Sequence, residues 1–177
     1  MNRHSLLLLA LTVLVACGAP WTSEPLAFTL PDANGIMYTP TEPPLQGRPI
    51  LLYAFGVWCG PCKALSPEIE RLYAAYASKG LAVIGVHFAV TGGSTEDYQQ
   101  TLRDYAQTSA IAFPLLVGGH TSEVSEALPT VGALRGYPTT LLFDREGNAK
   151  KKWLGYHEGM PKEIESAIRA VLTSESN

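Results

Sequence analysis

The sequence predicts an α/β fold, a mixed central sheet flanked by helices, formed by one domain over residues 26–173. Three observations predict it. Ile50–Phe55 and Leu81–Val90 are continuous apolar runs, the pattern of strands buried on both faces of a sheet. Between them, Gly60–Ser78 places Leu65, Ile69, Leu72, Tyr73 and Tyr76 at helical spacing. Residues 50–88 therefore read as one βαβ unit, right-handed by the general rule for such crossovers. Further on, Thr139–Phe143 and Ala149–Leu154 flank the turn Asp144-Arg145-Glu146-Gly147-Asn148, a hairpin that makes part of the sheet antiparallel.

The remaining elements follow in order. Leu26–Leu30 alternates weakly and is expected as an edge strand, followed by the turn cluster Pro31-Asp32-Ala33-Asn34-Gly35. Pro40, Pro43 and Pro44 mark a loop. Lys79-Gly80 closes the first helix as helix C-termini prefer. Gly92-Gly93-Ser94 then breaks the chain, and Ser94, with Asp97 three residues on, N-caps a polar helix over Thr95–Ala110. That helix turns Tyr98, Leu102, Tyr105 and Ala106 inward. Phe113–Val117 is a short strand, and Gly118–Gly136 is irregular apart from a helical turn around Glu123–Ala127. Pro161–Leu172 closes the domain as a helix with Ile164, Ile168, Val171 and Leu172 inward. Lys150-Lys151-Lys152 falls in an expected strand, where it reads as a solvated edge that discourages pairing with other chains.

Composition excludes some functions. The 177 residues are 46% apolar and 16% charged, and the net charge is −3. A sequence-independent nucleic-acid binder needs a basic surface to neutralise phosphates, so no nucleic-acid partner is expected. Residues 1–16 read as an export signal: Arg3 supplies the positive start, and Leu6–Val15 is apolar except for Thr12. The run is too short to span a bilayer, which takes about 20 residues. It ends in Leu14-Val15-Ala16-Cys17, which resembles the lipobox of bacterial lipoproteins. The resemblance implies cleavage before Cys17, lipidation of its sulfur, and a membrane anchor made of more than one acyl chain. Gly18 stands where an aspartate would favour inner-membrane retention, so the expected location is the periplasmic face of a bacterial membrane, the outer one if there are two. Cleavage removes Arg3 and leaves 12 basic against 16 acidic residues, a charge of −4. Residues 17–25 then form a lipidated tether, of which residues 18–25 reach about 25 Å when extended. Residues 174–177 are expected as a disordered tail, and the protein as a monomer.

With Cys17 set aside, Cys59 and Cys62 remain. They can form only one local pair. A disulfide closing so small a loop adds little stability, so redox chemistry is the better reason for the pair. The string Trp58-Cys59-Gly60-Pro61-Cys62-Lys63 leaves a buried strand and opens a helix. A sulfur at that point meets unpaired backbone N–H groups and the positive end of the helix dipole, which favour a thiolate. The thiol pKa accordingly falls from about 8.5 towards the range of Cys-X-X-Cys motifs. Cys59 is then the attacking nucleophile and Cys62, one turn on and shielded, resolves the mixed disulfide. Gly60 permits close approach of a substrate chain, and Pro61 fits the first helical turn.

This string at a strand-to-helix junction resembles the thioredoxin superfamily, over roughly residues 26–173. Tyr137-Pro138-Thr139-Thr140 strengthens the resemblance, which implies a cis Pro138 beside the active disulfide and a Tyr137 backbone that pairs with an extended substrate. Seventy-five residues separate Cys62 from Pro138, room for one extra helix and strand, placed at residues 94–117. Exported TlpA/ResA-like members of the redoxin group carry such an insertion. The resemblance implies a thiol-disulfide oxidoreductase with no cofactor beyond its dithiol. Gly-Pro between the cysteines is similar to reductants, so the implied activity is reduction of disulfides in exported proteins, fed by a membrane thiol donor of the DsbD kind. Relatives also place a carboxylate near the resolving cysteine, either three residues after it or six before the first cysteine. Here those positions are Leu65 and Tyr53, so the Cys62 proton is expected to leave through water or directly to solvent.

Other residues are assigned lesser roles. Trp58 shields the site, and Lys63 either steadies the thiolate or is simply solvated. His87 is expected as a satisfied structural histidine, and His120 and His157 as solvated loop residues. Two rival functions use the same cysteines. A copper or zinc carrier is conceivable because thiolates suit soft metals, but a structural zinc site wants four ligands and no second pair is visible, so no metal site is expected. A thiol peroxidase would carry a Thr or Ser and a Pro ahead of its cysteine, and that context is absent.

Overall fold

The computed structural model describes residues 24–174. The expected signal 1–16, Cys17 and nearly all of the tether lie outside them. In chain order the elements are β1 (Leu30–Pro31), β2 (Met37–Tyr38), β3 (Ile50–Phe55), α1 (Gly60–Tyr76) with a 3-10 turn at Ala77–Lys79, and β4 (Ala82–Ala89). They continue with α2 (Thr95–Thr108), β5 (Leu115–His120), α3 (Val124–Ala127), β6 (Thr139–Phe143), β7 (Ala149–Leu154) and α4 (Met160–Ser174). The main sheet has the order β5-β4-β3-β6-β7, with β3, β4 and β5 parallel and β6 and β7 antiparallel. The mixed sheet, the inserted helix and strand, and the lysine-bearing edge strand β7 all agree with the sequence reading.

β3 lies at the centre of the sheet and shows why its run is apolar throughout. Leu51, Tyr53 and Phe55 point to one face with α1, α2 and α4, whose Leu65, Ile69, Leu72, Leu102, Ile164 and Ile168 pack there. Ile50, Leu52 and Ala54 point to the other, which no long helix of the described residues covers. That face is closed by Leu26, Phe28 and Leu30 and by the short α3 with Val124 and Leu128. Here the structure corrects one expectation. Leu26–Leu30 is not an edge strand, since only Leu30 belongs to a ladder, the small β1–β2 hairpin. The alternation instead reports side chains plugging the open face. The Leu26 amide donates to the Gly147 carbonyl and the Ala27 amide to Thr130 Oγ1. Ser174, placed in the tail by the sequence, is the last residue of α4.

Two local devices hold the site-bearing helices. Ser94 and Asp97 form a reciprocal capping box at the start of α2, as the sequence predicts. Between α1 and α4, Glu165 accepts from Tyr76 Oη, Arg71 and Arg169. The Tyr76 hydroxyl and the two guanidiniums pull the Glu165 carboxyl down to about 2. This charge-assisted knot fixes the axis of the helix that begins at the cysteines.

Candidate active site

The turn Gly56-Val57-Trp58-Cys59 carries the chain from the end of β3 into α1. The Cys59 amide donates to the Gly56 carbonyl, and the Cys59 carbonyl accepts the first helical bond from Lys63. Cys59 is thus the N-cap of α1, with extended backbone (φ −89°, ψ 114°), and Gly60 and Pro61 occupy the first turn. Its sulfur fills the position that a serine or aspartate oxygen takes in ordinary caps. The Cys62 amide donates to it at 3.3 Å. Cys59 and Cys62 are disulfide-bonded, with Cα atoms 5.2 Å apart. Cys59 is 5% exposed and Cys62 not at all, so an incoming group can reach only the first sulfur.

Trp58 is held over the turn. Its indole N–H donates to the Phe88 carbonyl at 2.8 Å, and its ring meets the Tyr137 ring edge-on at 5.5 Å. The ring lies so close to Gly56 that a Cβ there would overlap Nε1 and Cε2, which is why the turn has glycine. The Tyr137–Pro138 bond is cis, as the resemblance implies. Tyr137 brings its aromatic ring to Trp58, and burial pushes its hydroxyl up to about 12. Lys63 is exposed and borders a cavity shared with Ser66 and Tyr105.

Behind Cys62 the structure places something the sequence reading did not assemble. Leu65 and Tyr53 are both fully buried. The Tyr53 hydroxyl donates to the Cys62 carbonyl at 2.7 Å, and Ser66 Oγ donates to the same carbonyl at 3.0 Å. Ser66 Oγ also lies 2.7 Å from Tyr105 Oη, and 3.2 Å from Tyr53 Oη. Three hydroxyls from β3, α1 and α2 thus meet behind Cys62, and one of them, Tyr53, stands at a position where the resemblance implies an acid. Burial raises the Tyr53 hydroxyl further above its ordinary range, so the group stays neutral.

His87 is the other correction. It is buried, as expected, but not satisfied: neither ring nitrogen has a hydrogen-bond partner. Its ring meets the edge of Phe55 at 5.6 Å and lies 6.3 Å from Tyr98. Burial pushes its pKa down to about 4. His120 is not in a loop but ends β5, its Nδ1 2.8 Å from Ser122 Oγ; His157 is exposed and 3.7 Å from Glu163. Among the described residues no group of three or more His, Cys, Asp or Glu side chains is arranged to hold a metal ion.

Comparison with known proteins fits this geometry. Residues 23–152 match the family model described as AhpC/TSA family. The chain belongs to that family. Thioredoxin-like protein YneN of Bacillus subtilis (strain 168) is 31% identical over 102 residues, 58% of this chain and 54% of YneN, so the chain spans about half the length of that relative. Thiol-disulfide oxidoreductase ResA of Bacillus cereus is 22% identical over 191 residues, 97% of this chain and 99% of ResA. Among solved structures, a thiol:disulfide interchange protein of the thioredoxin family from Chlorobium tepidum TLS superposes with a TM-score of 0.67 at 21% identity. That match covers 88% of this chain and 99% of the other, and shows the thioredoxin-like fold.

The buried neutral imidazole has a consequence for stability. Unfolded, His87 takes up a proton as the pH falls through about 6.5; folded, it does so only near 4. The unfolded state therefore binds more protons in that window, and stability falls on acidification from pH 6.5 to 4, by about 3 kcal/mol in all. Denaturant titrations at pH 7 and pH 4 should show this extra loss in the wild type and not in His87→Leu. Equal losses in the two proteins would contradict it.

Proposed function

We propose that this thiol-disulfide oxidoreductase works as a reductase of disulfides in exported proteins, attached to the membrane through a lipid on Cys17. The observation that carries the reading is the sulfur of Cys59 at the N-cap of α1, with Cys62 buried one turn behind it. In the reduced protein the Cys59 thiolate attacks one sulfur of a substrate disulfide. That S–S bond breaks, the other substrate sulfur leaves as a thiolate, and a Cys59–substrate mixed disulfide forms. Cys62 then loses its proton and attacks Cys59 Sγ. The second substrate sulfur leaves with the electron pair, and the Cys59–Cys62 disulfide closes. Two electrons have passed to the substrate, and a membrane thiol donor of the DsbD kind returns them. Trp58 and Tyr137 flank the reacting sulfur, and Gly60, Pro61 and cis Pro138 shape the surface that the substrate chain meets. No helix of the described residues is long and apolar enough to cross a membrane, so on this reading attachment falls to Cys17 and the tether up to residue 25.

The positions expected to carry an acid near Cys62 hold Leu65 and Tyr53, and the nearby hydroxyls bond its carbonyl and not its sulfur. Tyr53 and Ser66 hold the Cys62 carbonyl and Tyr105 holds Ser66, so these hydroxyls order the backbone behind the sulfur and supply no base for its proton. Water or solvent is the final acceptor. The resolution step should therefore quicken as pH rises from 6 to 8, by stopped-flow on a preformed Cys59 mixed disulfide; a fast and flat profile would contradict this.

The reading itself is tested by trapping. Full-length Cys62→Ser, expressed in a bacterial host, should accumulate mixed disulfides with exported proteins in the membrane fraction, and Cys59→Ser should accumulate none. Cys17→Ser should move the adducts out of the membrane fraction. Trapping no more partners than the Cys59→Ser control would overturn the reductase reading, and adducts of Cys17→Ser that stay in the membrane would overturn the lipid anchor.

A further inference from the structure

We propose that the cavity on the far side of Trp58 is a subsite for a basic side chain, lysine or arginine, that the substrate polypeptide carries close to its reacting cysteine, with the Asp97 carboxylate as partner of the cationic head. The inference deepens the thiol-disulfide reading and rests on it. The cavity holds about 370 Å³ and lies where β4 ends, between the β3–α1 turn and the start of α2. Its walls are held in place. The Trp58 indole is pinned by its bond to the Phe88 carbonyl, and the Tyr98 ring by the bond of its hydroxyl to the Thr91 carbonyl at 3.1 Å. Val57 and Val90 complete the apolar lining. Trp58 and Val90 are 43% and 49% exposed, so this apolar surface continues outward beside the residue that precedes Cys59.

One formal charge among the lining residues selects the occupant. Asp97, Tyr98 and Thr101 all line the cavity, so α2 lays along it the face that carries the Asp97 carboxylate. The Ser94 amide and hydroxyl both donate to one carboxylate oxygen, Oδ2, at 2.8 and 2.7 Å. These bonds hold the Asp97 carboxyl below its usual range, so it is charged at neutral pH. The second oxygen has no hydrogen bond, and among the described residues no cation pairs with Asp97. Lys63, the basic residue nearest the cysteines in sequence, borders a different cavity that shares only Val57 with this one. The other polar groups do not compete. Both His87 ring nitrogens are closed to solvent and offer an occupant nothing. Thr101 Oγ1 donates to the Asp97 carbonyl at 2.9 Å, which leaves it only lone pairs, and the Thr91 hydroxyl can accept as well as donate. Gly92 and Gly93 add backbone dipoles but no charge. An anionic side chain would meet the carboxylate as a like charge, and an apolar one would strip water from it and return nothing. A lysine or arginine lays its methylene stem on Trp58, Tyr98 and the valines and brings its head to Asp97.

The test uses the full chain carrying Cys17→Ser and Cys62→Ser, in which Cys59 is the only thiol, and short single-cysteine peptides supplied as activated disulfides. The peptides carry Lys, Gln or Glu at one, two or three positions on either side of the cysteine. At low ionic strength, in at least one register, the Lys peptide should join Cys59 about fivefold faster than its Gln counterpart, the effect of one exposed ion pair, and the Glu peptide should be slower than both. Adding Asp97→Asn should erase the Lys–Gln difference in that register. Adding Glu96→Gln instead, which removes an acidic neighbour that does not line the cavity, should keep it. Asparagine retains an acceptor for the Ser94 amide, so the cap of α2 should hold. If that variant does not fold, the ¹³C carboxyl resonance of the unmutated Asp97 decides: it should shift in the Lys adduct of the preferred register and not in the Gln adduct. Equal Lys and Gln rates in every register would overturn the proposal, as would an Asp97 resonance unmoved in every Lys adduct. So would a Lys preference that survives Asp97→Asn, or one that Glu96→Gln abolishes equally, since either would mark diffuse attraction to an acidic surface. Activated disulfides react with any accessible thiol, so these rate ratios do not depend on whether exported proteins are trapped in cells.

Discussion

A single backbone amide aimed at a sulfur organises the site. The Cys62 N–H points at Cys59 Sγ from the first turn of α1. In a chain that ended its helix cap with serine, the same geometry would merely satisfy an orphan donor. With sulfur it favours the anion that does chemistry. Much of the surrounding structure keeps that geometry fixed. β3 is locked between β4 and β6, the Gly56 carbonyl holds the Cys59 amide, and Glu165 ties the body of α1 to α4. These contacts tie the first turn of the helix to the strand that delivers the cysteine, and its body to α4.

The two cysteines meet very different surroundings. Cys59 faces outward past the half-exposed Trp58, in the field of a helix terminus. Cys62 is sealed in the core, its carbonyl held by two hydroxyls and its side chain among apolar neighbours. Burial without a charge partner keeps a thiol protonated. The asymmetry supports the proposed order of events, in which the first sulfur attacks and the second waits. It also explains how a chain with Leu65 and Tyr53 can manage without a buried acid. A neutral hydroxyl set costs no charge desolvation in the oxidised state, and what it gives up is a local proton acceptor.

Much of this was legible in the sequence, for physical reasons that differ by element. β3 was readable to its ends because a central strand is apolar on both faces. α2 was readable because Ser94 and Asp97 spell out its cap, and the hairpin because Asp144, Gly147 and Asn148 have turn chemistry. Leu26–Leu30 misled because alternation reports which side chains are buried, not whether a neighbouring strand pairs with the backbone. β5 ran past its expected end at Val117 because Gly118 sits in a register shift against β4, where a glycine pair is compatible with the ladder. The hydroxyl set was hidden because Tyr53, Ser66 and Tyr105 come from three elements and meet only in the folded core. Tyr53 was visible one at a time, as an acid that was missing. The state of His87 was hidden for a similar reason: an apolar run announces burial but does not reveal whether a ring nitrogen finds a partner.

The acidity of Cys59 is the quantity on which the account stands. Titrating the thiolate absorbance of reduced Cys62→Ser near 240 nm, with the further variant Cys59→Ser as the blank, isolates that one sulfur. A pKa at or below about 7.5, within the span of helix-capping cysteines, is the predicted result. A value at or above that of an ordinary thiol, about 8.5, would mean that the helix terminus does not hold the anion, and would contradict the account at its root.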